Sequence, residues 1–564
     1  MRFRTLAAGV ACTMLWPGLV AAAPGSAAAQ AAPRSDDLKR GADALLQAIP
    51  ANGPGAAAIV MRGGRIVYAA GRGLADLDTG RKVTADTVFS LGSITNQFTA
   101  AVVLQLVQEG RLSLDDPVSR FFPDYPQPTA AATVRQLLNH TSGIQDFSKI
   151  PGWLAANRTR PFTTAELLAV FRDRPAAAAP GEKWEYNNGG YVLLGAIVEK
   201  VTGKAWHEAV TERIASPLGL HTLAYGVTGE AGPAIARGYT EEHGRQQPVL
   251  PSHMSVPHAA GGLAASARDL AAWAQALHHG RIVGPGLYRE MIRPARLRDG
   301  SEQPYGFGLR LRQLRGRPAL VHGGAIAGFD TDSVYLPSED LFVAVLANSD
   351  DPATDPSILT RRLAALALGE PFPTLVRADV PLTTIAPLFG TYEPRPGGAD
   401  DGPPRRFFAR DGRLFMARGE GEMEAFAAGD DRFFFGADEL TWVRFVRKAD
   451  GAHVVEVHRA DLAAPDRAVR TGDAPAPFAI APSALRSYAG TYATEGPVVT
   501  IAFENGQLTL QLPDGPTLPM RAVAEDAFMI DRARSRLVFH RQNGAIDRVT
   551  IQHGARVLNG RRVP

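Results

Sequence analysis

The stretch SLGSITNQFTA, Ser90–Ala100, decides how the rest of the chain is read. It joins a strand-like run, TVFSLGS, whose extended character ends at Gly92, to an apolar segment, Gln97–Glu109, closed by the helix-stop signal Gly110. Ser93 therefore sits at or just before the mouth of a buried helix. There the helix dipole favours an alkoxide or a developing oxyanion. Taken alone, the same position also suits an ordinary N-cap, filled by Ser93 or Thr95.

Outward from this point the chain alternates between strands and helices. A first helix is expected over Ser35–Ile49. AAAIVMRGGRIVYAAG (56–71) reads as a hairpin turning at Gly63-Gly64, with Ile59 and Met61 leading in and Ile66, Tyr68 and Ala70 leading out. Helices are expected near 97–109, 164–173, 189–203 and 267–279. Strands return at YGFGLRL (305–311), PALVHGG (318–324) and DSVYLPSEDLFVAVLAN (332–348), the last a hairpin around Pro337–Asp340. Strands at both ends with helices between them indicate one α+β domain, residues 36–370, whose antiparallel sheet is completed by both termini and flanked by helices.

GEPFPTLVRADVP (369–381) reads as a linker. Beyond it short strands carry an internal duplication. Gly390-Thr391-Tyr392 recurs as Gly490-Thr491-Tyr492, FFARDGRLFMA as IAFENGQLTLQL, and VRFVRKADG as LVFHRQNG. Asp411-Gly412 and Asn505-Gly506 favour type I′ turns, whose two central residues both take positive φ. Two small antiparallel β-barrel-like domains are expected, 381–472 and 482–564, split near DAPAPFAIAP (473–482). The alternative is one β-sandwich with a coincidental echo.

Composition narrows the function. Of 564 residues, 45% are hydrophobic and 21% charged, enough for sizeable cores. Lys+Arg number 60 against 57 Asp+Glu, a balance of +3, and two of the positives are Arg2 and Arg4, so nothing points to nucleic acid. Arg2 and Arg4, the apolar run Leu6–Val20 and the small residues Ala21–Ala23 or Ala27–Ala29 read as a signal peptide within residues 1–30. The run is short of the ~20 apolar residues that a stable membrane span needs. A periplasmic or secreted protein is expected. Cys12, the one cysteine, lies inside that segment with Gly9 three positions before it, which argues against lipidation and leaves no thiol for disulfides or catalysis. The 13 histidines are scattered and no His-Glu-x-x-His occurs, so neither metal nor other cofactor is expected.

Two further tripeptides bear on Ser93. Tyr186-Asn187-Asn188 follows PGEKWE and precedes a helix, so that a phenol able to relay a proton and an amide able to grip a carbonyl stand two apart. His322-Gly323-Gly324 ends the apolar strand PALV, and its small residues let a substrate lie against an edge strand, with His322 as a polar neighbour. His140, in HTSGI, reads as part of a turn that shapes the fold.

In this order, and with these flanks, the chain resembles the serine-hydrolase family of class C β-lactamases, penicillin-binding DD-peptidases, D-aminopeptidases and related esterases. The resemblance is carried by GLADLDTGRKVTADTVFSLGSIT (73–95), VRQLLNHTSGI (134–144), PGEKWEYNNGGYVLLGAIVEKVTG (180–203), GGLAASARDLAAWAQAL (261–277) and HGGAIAGFDTDSVYLPSEDLFVAVLANSD (322–350). It implies a β-lactamase/transpeptidase-like sheet with a helical subdomain beside it and the site in the cleft between them. It implies Ser93 as the acylated nucleophile, Tyr186 as its acid/base partner and Asn188 as the group that orients a substrate amide. His322 would stand where lactamases carry the lysine of Lys-Thr-Gly, Gly323 and Gly324 would line the substrate strand, and the N–H groups of Ser93 and Ala325 would form an oxyanion hole. The implied partner is a small-molecule or peptide substrate: a β-lactam, a D-amino-acid peptide or an ester.

One residue departs from the pattern. The family lysine belongs three residues after the serine, and Asn96 is there instead. On a helix, i and i+3 share a face, so a lysine amine would reach both the serine and the tyrosine. Asparagine carries no charge and accepts no proton. An unperturbed phenol, pKa ~10, is ionised in only about one molecule in a thousand at pH 7. Loss of a positioned base typically costs roughly 10²–10⁴ in rate. A weakened hydrolase is expected, or a non-catalytic relative that binds peptidoglycan-type peptides or a protein partner. Lys183, in the loop before Tyr186, reads as a surface residue.

Overall fold

The protein is described by a computed structural model, which covers residues 34–226, 235–396 and, with short omissions, 398–563. The expected signal segment, residue Asp411 and most of the 473–482 split lie outside the described residues. The contacts divide the chain into two compact units, one running to Leu375 and taking in 438–441 and 458–465, the other comprising 376–437, 442–457 and the chain from Asp466 on.

The first unit begins with α1 (Ser35–Leu46) and the hairpin β1 (Ala56–Arg62) and β2 (Arg65–Arg72). Its turn uses Gly63 at φ 56° and Gly64 at φ 69°, the left-handed pair that a two-residue hairpin requires. The apolar helix of the opening stretch is α2 (Thr95–Gln108). Later come α3 (Asn188–Thr202), α4 (Ala267–His278), the strands β3 (Arg310–Leu314), β4 (Arg317–Ile326), β5 (Phe329–Leu336) and β6 (Leu341–Ala347), and α5 (Pro356–Ala367). They form a six-stranded sheet in the order β3-β4-β5-β6-β1-β2, antiparallel throughout. The early hairpin thus pairs with the last strand of the domain, as strands at both ends of the sequence suggested.

The period-2 alternation of strands distributes the core to two faces. Ala57, Ile59 and Met61 of β1, with Phe342, Ala344 and Leu346 of β6, face a core shared with Phe98 of α2, Leu193 of α3 and Trp273 of α4. Ala58 and Val60, with Val343 and Val345, face a second core under Leu38 of α1 and Leu363 of α5. The first core extends through short helices between Val118 and Leu218 that form the helical subdomain. The fold is the α+β arrangement expected from the sequence. No helix among the described residues is long and apolar enough to cross a membrane.

Strand character in YGFGLRL begins only at Arg310. Two close approaches explain this. A Cβ on Gly306 would lie 2.0 Å from the Met291 carbonyl oxygen, and one on Gly308, at φ 69°, would lie 2.7 Å from the carbonyl of Asn96. The segment therefore loops over the start of α2 and carries Tyr305 with it.

Beyond Leu375 the repeat becomes two closed eight-stranded antiparallel barrels, spanning Gly390–Gly472 and Gly490–Val563. Tyr392 and Tyr492 are both fully buried, and each donates its hydroxyl to the carbonyl four residues earlier, Leu388 at 2.8 Å and Tyr488 at 2.9 Å. The shared GTY triplet thus fills the same place in each barrel. Asn505 and Gly506 adopt the positive φ values expected of their turn, 51° and 84°.

Candidate active site

Ser93 lies in a single 3-10 turn, Gly92–Ile94, immediately before α2. The N-cap position of α2 is Ile94, and no side chain caps the helix. Thr95 Oγ1 instead accepts the Leu263 N–H at 3.2 Å. Neither hydroxyl serves as the cap that the sequence allowed, and Ser93, only half-buried, keeps its hydroxyl at the positive end of a buried helix.

The turn is held by β4. A Cβ on Gly324 would sit 2.0 Å from the Leu91 carbonyl oxygen and 2.7 Å from Ser93 N, and a Cβ on Gly92, at φ 52°, would sit 3.0 Å from Ala325 N. Thr331 Oγ1 clamps the same place, with the Leu91 carbonyl at 2.9 Å and the Gly324 carbonyl at 3.0 Å. Glycine is needed because the strand presses against the turn, and the contact brings the N–H groups of Ser93 and Ala325 to neighbouring positions. β4 is an interior strand only in part. Its ladder with β3 ends at the pair Arg310–Val321, so 322–326 is paired on the β5 side alone and open on the other.

Tyr186 arrives from the turn before α3. Asn187 caps that helix, its Oδ1 accepting the Gly190 N–H at 2.9 Å, and Gly203 in the left-handed region ends it. The Asn96 side-chain amide donates to the Tyr186 hydroxyl at 2.7 Å, while its own Oδ1 is buried without a hydrogen-bond partner. The Tyr186 ring lies 6.1 Å from that of His322. Ser93, Asn96, Tyr186 and His322, from three distant segments, thus share one place. Asn188 is near, but its amide nitrogen is held by Ser148 Oγ at 2.9 Å and by Asp146 at 3.4 Å. Lys183 is exposed and paired with Glu185 at 2.8 Å.

Burial governs the charges. It pushes the Tyr186 phenol above its usual value, opposed by the Ser93 hydroxyl, the Arg310 guanidinium and the Asn96 amide in that order. It pushes His322 down to about 4, against a bond to the Gly323 carbonyl that favours the charged ring. The sequence left His322 as a conditional source of positive charge; 1% exposed, it is neutral near pH 7. Its tautomer follows from its partners. Nδ1 faces the Gly323 carbonyl at 2.7 Å and must carry the proton, so Nε2 accepts from the Tyr305 hydroxyl at 2.9 Å.

Three residues of this cluster were not singled out as site residues in the sequence. Tyr305 and Arg310 sit in YGFGLRLR, where the alternation resembles an ordinary half-exposed strand. His140 is in a turn, at φ 63°, but its ring also lies 4.3 Å from that of Tyr186, tilted by 45°, and its Nδ1 accepts the Asn187 N–H at 3.2 Å. A fully buried neutral ring bonded in this way fixes the Tyr186-Asn187 segment rather than moving protons. Among the described residues, no group of three or more His, Cys, Asp or Glu is arranged to hold a metal ion.

The buried imidazole gives a stability prediction. The folded pKa of His322, about 4, lies below its unfolded value of ~6.5, so on acidification the unfolded chain takes up the proton first. Stability is lost as pH falls from 6.5 toward 4, by on the order of 3 kcal/mol from this group. His322→Gln is expected to flatten that part of the profile in urea unfolding between pH 7 and pH 4.5. The slope that remains is the balance of His140 and His278, whose buried rings are depressed in the same direction, against Asp330 and Asp332, whose carboxyls burial raises to about 6 and about 7 and which favour the fold as pH falls.

Comparison with known proteins places this geometry. A D-aminopeptidase of Gluconobacter oxydans (strain 621H) is 28% identical over 380 residues, 65% of this chain and 70% of its own length. A D-aminopeptidase of Brucella canis is 30% identical over 350 residues, 60% of this chain, and the chain spans 64% of that relative, just under two thirds. Among solved structures, the octameric penicillin-binding protein homologue from Pyrococcus abyssi is 26% identical, with a TM-score of 0.54 over 76% of this chain and 99% of that one. Residues 42–368, more than half of the chain and including Ser93, Asn96, Tyr186 and His322, match the family described as Beta-lactamase. The chain belongs to the Beta-lactamase family.

Proposed function

We propose that the protein is a serine hydrolase that cleaves amide or ester bonds through an acyl-enzyme on Ser93, in the manner of D-aminopeptidases, esterases and penicillin-binding proteins. One observation carries this reading: a half-buried serine hydroxyl at the mouth of a buried helix, close enough to the Tyr186 hydroxyl to favour its ionisation. Ser93 Oγ attacks the acyl carbon as its proton passes to the ionised Tyr186 Oη, and the phenol so formed then gives that proton to the leaving nitrogen or oxygen. The carbonyl oxygen becomes an oxyanion between the N–H groups of Ser93 and Ala325. The open side of β4 beside Gly323 and Gly324 takes the substrate backbone, and Asn188 orients its amide.

The D-aminopeptidase relatives support a bond next to a D-residue. Asn96 argues for a slow enzyme, since it bonds the phenol but brings neither a charge nor a base. Arg2, Arg4 and the apolar run Leu6–Val20 support a periplasmic or secreted location. Asn96 also favours a second reading, a non-catalytic relative that binds peptidoglycan-type peptides or a protein partner.

Intact-mass spectrometry of the protein incubated with a β-lactam separates the two. The hydrolase gains the mass of the opened lactam. Saturable binding with no covalent adduct supports the binding protein instead.

A further inference from the structure

Arg310, on β3, stands over two tyrosine rings of the site. Its guanidinium carbon lies 5.4 Å from the ring centroid of Tyr186 and 5.9 Å from that of Tyr305. Arg310 is half-buried, and its side chain makes no hydrogen bond or ion pair among the described residues. An arginine has five N–H donors and ordinarily finds a carboxylate or carbonyl for some of them. Here its attractive contacts are the negative faces of aromatic rings.

Other charges around Tyr186 are already matched. Lys149 Nζ reaches the Tyr186 carbonyl at 2.9 Å but is paired with Glu185 at 2.6 Å, and Lys183 is paired with the same carboxylate. Asp146 opposes ionisation of the phenol, and its oxygens are bonded by Ser148 and Asn188. His140 and His322 are neutral, and Tyr191 and Tyr305 stay protonated because burial holds their phenols well above the usual value.

We propose that Arg310 supplies, through the face of the Tyr186 ring, the positive charge that Asn96 cannot, and so makes Tyr186 the proton acceptor of this site. The inference rests on the hydrolase reading above and deepens it. Before the step, the negative charge of ionised Tyr186 is held on a desolvated phenol oxygen and stabilised by the guanidinium. As the Ser93 Oγ–H bond breaks, its proton moves to that oxygen, the Oγ–acyl bond forms, and the carbonyl π pair moves onto the carbonyl oxygen. Arg310 touches no reacting atom and acts as a positioning residue. The position of the charge suits the role. A lysine at 96 would approach the phenol at its oxygen, whereas Arg310 approaches from the ring face and leaves the oxygen free for Ser93 and Asn96.

The test combines two readouts on full-length protein. The first is acylation of Ser93 by nitrophenyl acetate, an ester without a carboxylate, across pH in R310Q, R310K, N96K and R310Q/N96K. A unit charge at this range moves a phenol by about one to two pKa units, so R310Q is expected to slow acylation roughly tenfold to a hundredfold and to move the alkaline limb to higher pH. R310K, which keeps the charge, is expected to recover most of the rate. In the N96K background R310Q is expected to cost less than about threefold, because the lysine then serves Ser93 directly, as a charge beside the phenol or as the base itself. Equal losses in both backgrounds, or a loss seen only with substrates that bear a carboxylate, overturn the proposal and make Arg310 a substrate anchor.

The second readout is the ultraviolet titration of the Tyr186 phenol, isolated by subtracting Tyr186→Phe. Its midpoint is expected to rise by about one unit or more in R310Q, with near-ultraviolet circular dichroism reporting an intact fold. An unmoved midpoint overturns the proposal whether or not the protein hydrolyses anything. A shifted midpoint in a protein that never acylates Ser93 sustains the role of Arg310 and ends the hydrolase reading instead.

Discussion

Ser93→Ala is expected to abolish covalent labelling by a fluorophosphonate or a penicillin probe while leaving the thermal midpoint within a few degrees of the parent. The loss should be complete, because the neighbouring hydroxyls are poorly placed to take over. Thr95 and Thr99 are both buried, and both are engaged, Thr95 accepting the Leu263 N–H and Thr99 donating to the Ala259 carbonyl at 2.7 Å. Ser90 and Ser142 are buried as well. The fold should survive because the Ser93 side chain caps no helix, and alanine suits a turn whose shape is set by Gly92, Gly324 and Thr331. Removing one half-buried hydroxyl that caps no helix costs about 1 kcal/mol or less. Intact mass and a melting curve on the same sample decide it: labelling that persists at the parent level moves the nucleophile away from Ser93.

The parts of this site that were legible in the sequence are those with a local physical signature. Gly63-Gly64 announces a hairpin because few other residue pairs take two positive φ values. Ser93 announces a helix mouth because an apolar run with a glycine stop follows it. His322-Gly323-Gly324 announces a close approach because small residues follow an apolar run; the sequence assigns that approach to a substrate, whereas at Gly324 it is the chain's own Leu91 carbonyl and Ser93 amide that come close, on a strand that runs on to Ile326. Arg310 and Tyr305 carry no such mark. Their roles arise from a loop at Gly306 and Gly308 that folds back over α2, a contact between residues more than two hundred positions apart. The charge state of His322 was hidden for the same reason. The sequence names an imidazole, but only packing removes it from water and holds it neutral.

Asn96→Lys is expected to raise acyl-enzyme formation with a nitrophenyl ester or a chromogenic cephalosporin by at least about tenfold, the low side of what a positioned base supplies. Position 96 is 1% exposed, on the first turn of α2, with its amide nitrogen 2.7 Å from the Tyr186 oxygen. A lysine there has the same neighbours, so its amine meets the phenol and the Ser93 hydroxyl. The substitution also removes a buried oxygen, Asn96 Oδ1, that has no partner at present, a defect worth about 1–3 kcal/mol. Against this stands the cost of desolvating an ammonium, which lowers its pKa and makes the amine a better proton acceptor near neutrality. These two effects on stability oppose each other, whereas their effects on rate act together, so the rate should move far more than the melting temperature. A lysine acting as a base also adds a limb to the pH–rate profile that rises as the amine loses its proton. A flat rate together with an unchanged profile means either that another base already serves Ser93 or that the groups gathered around Tyr186 do not meet a substrate.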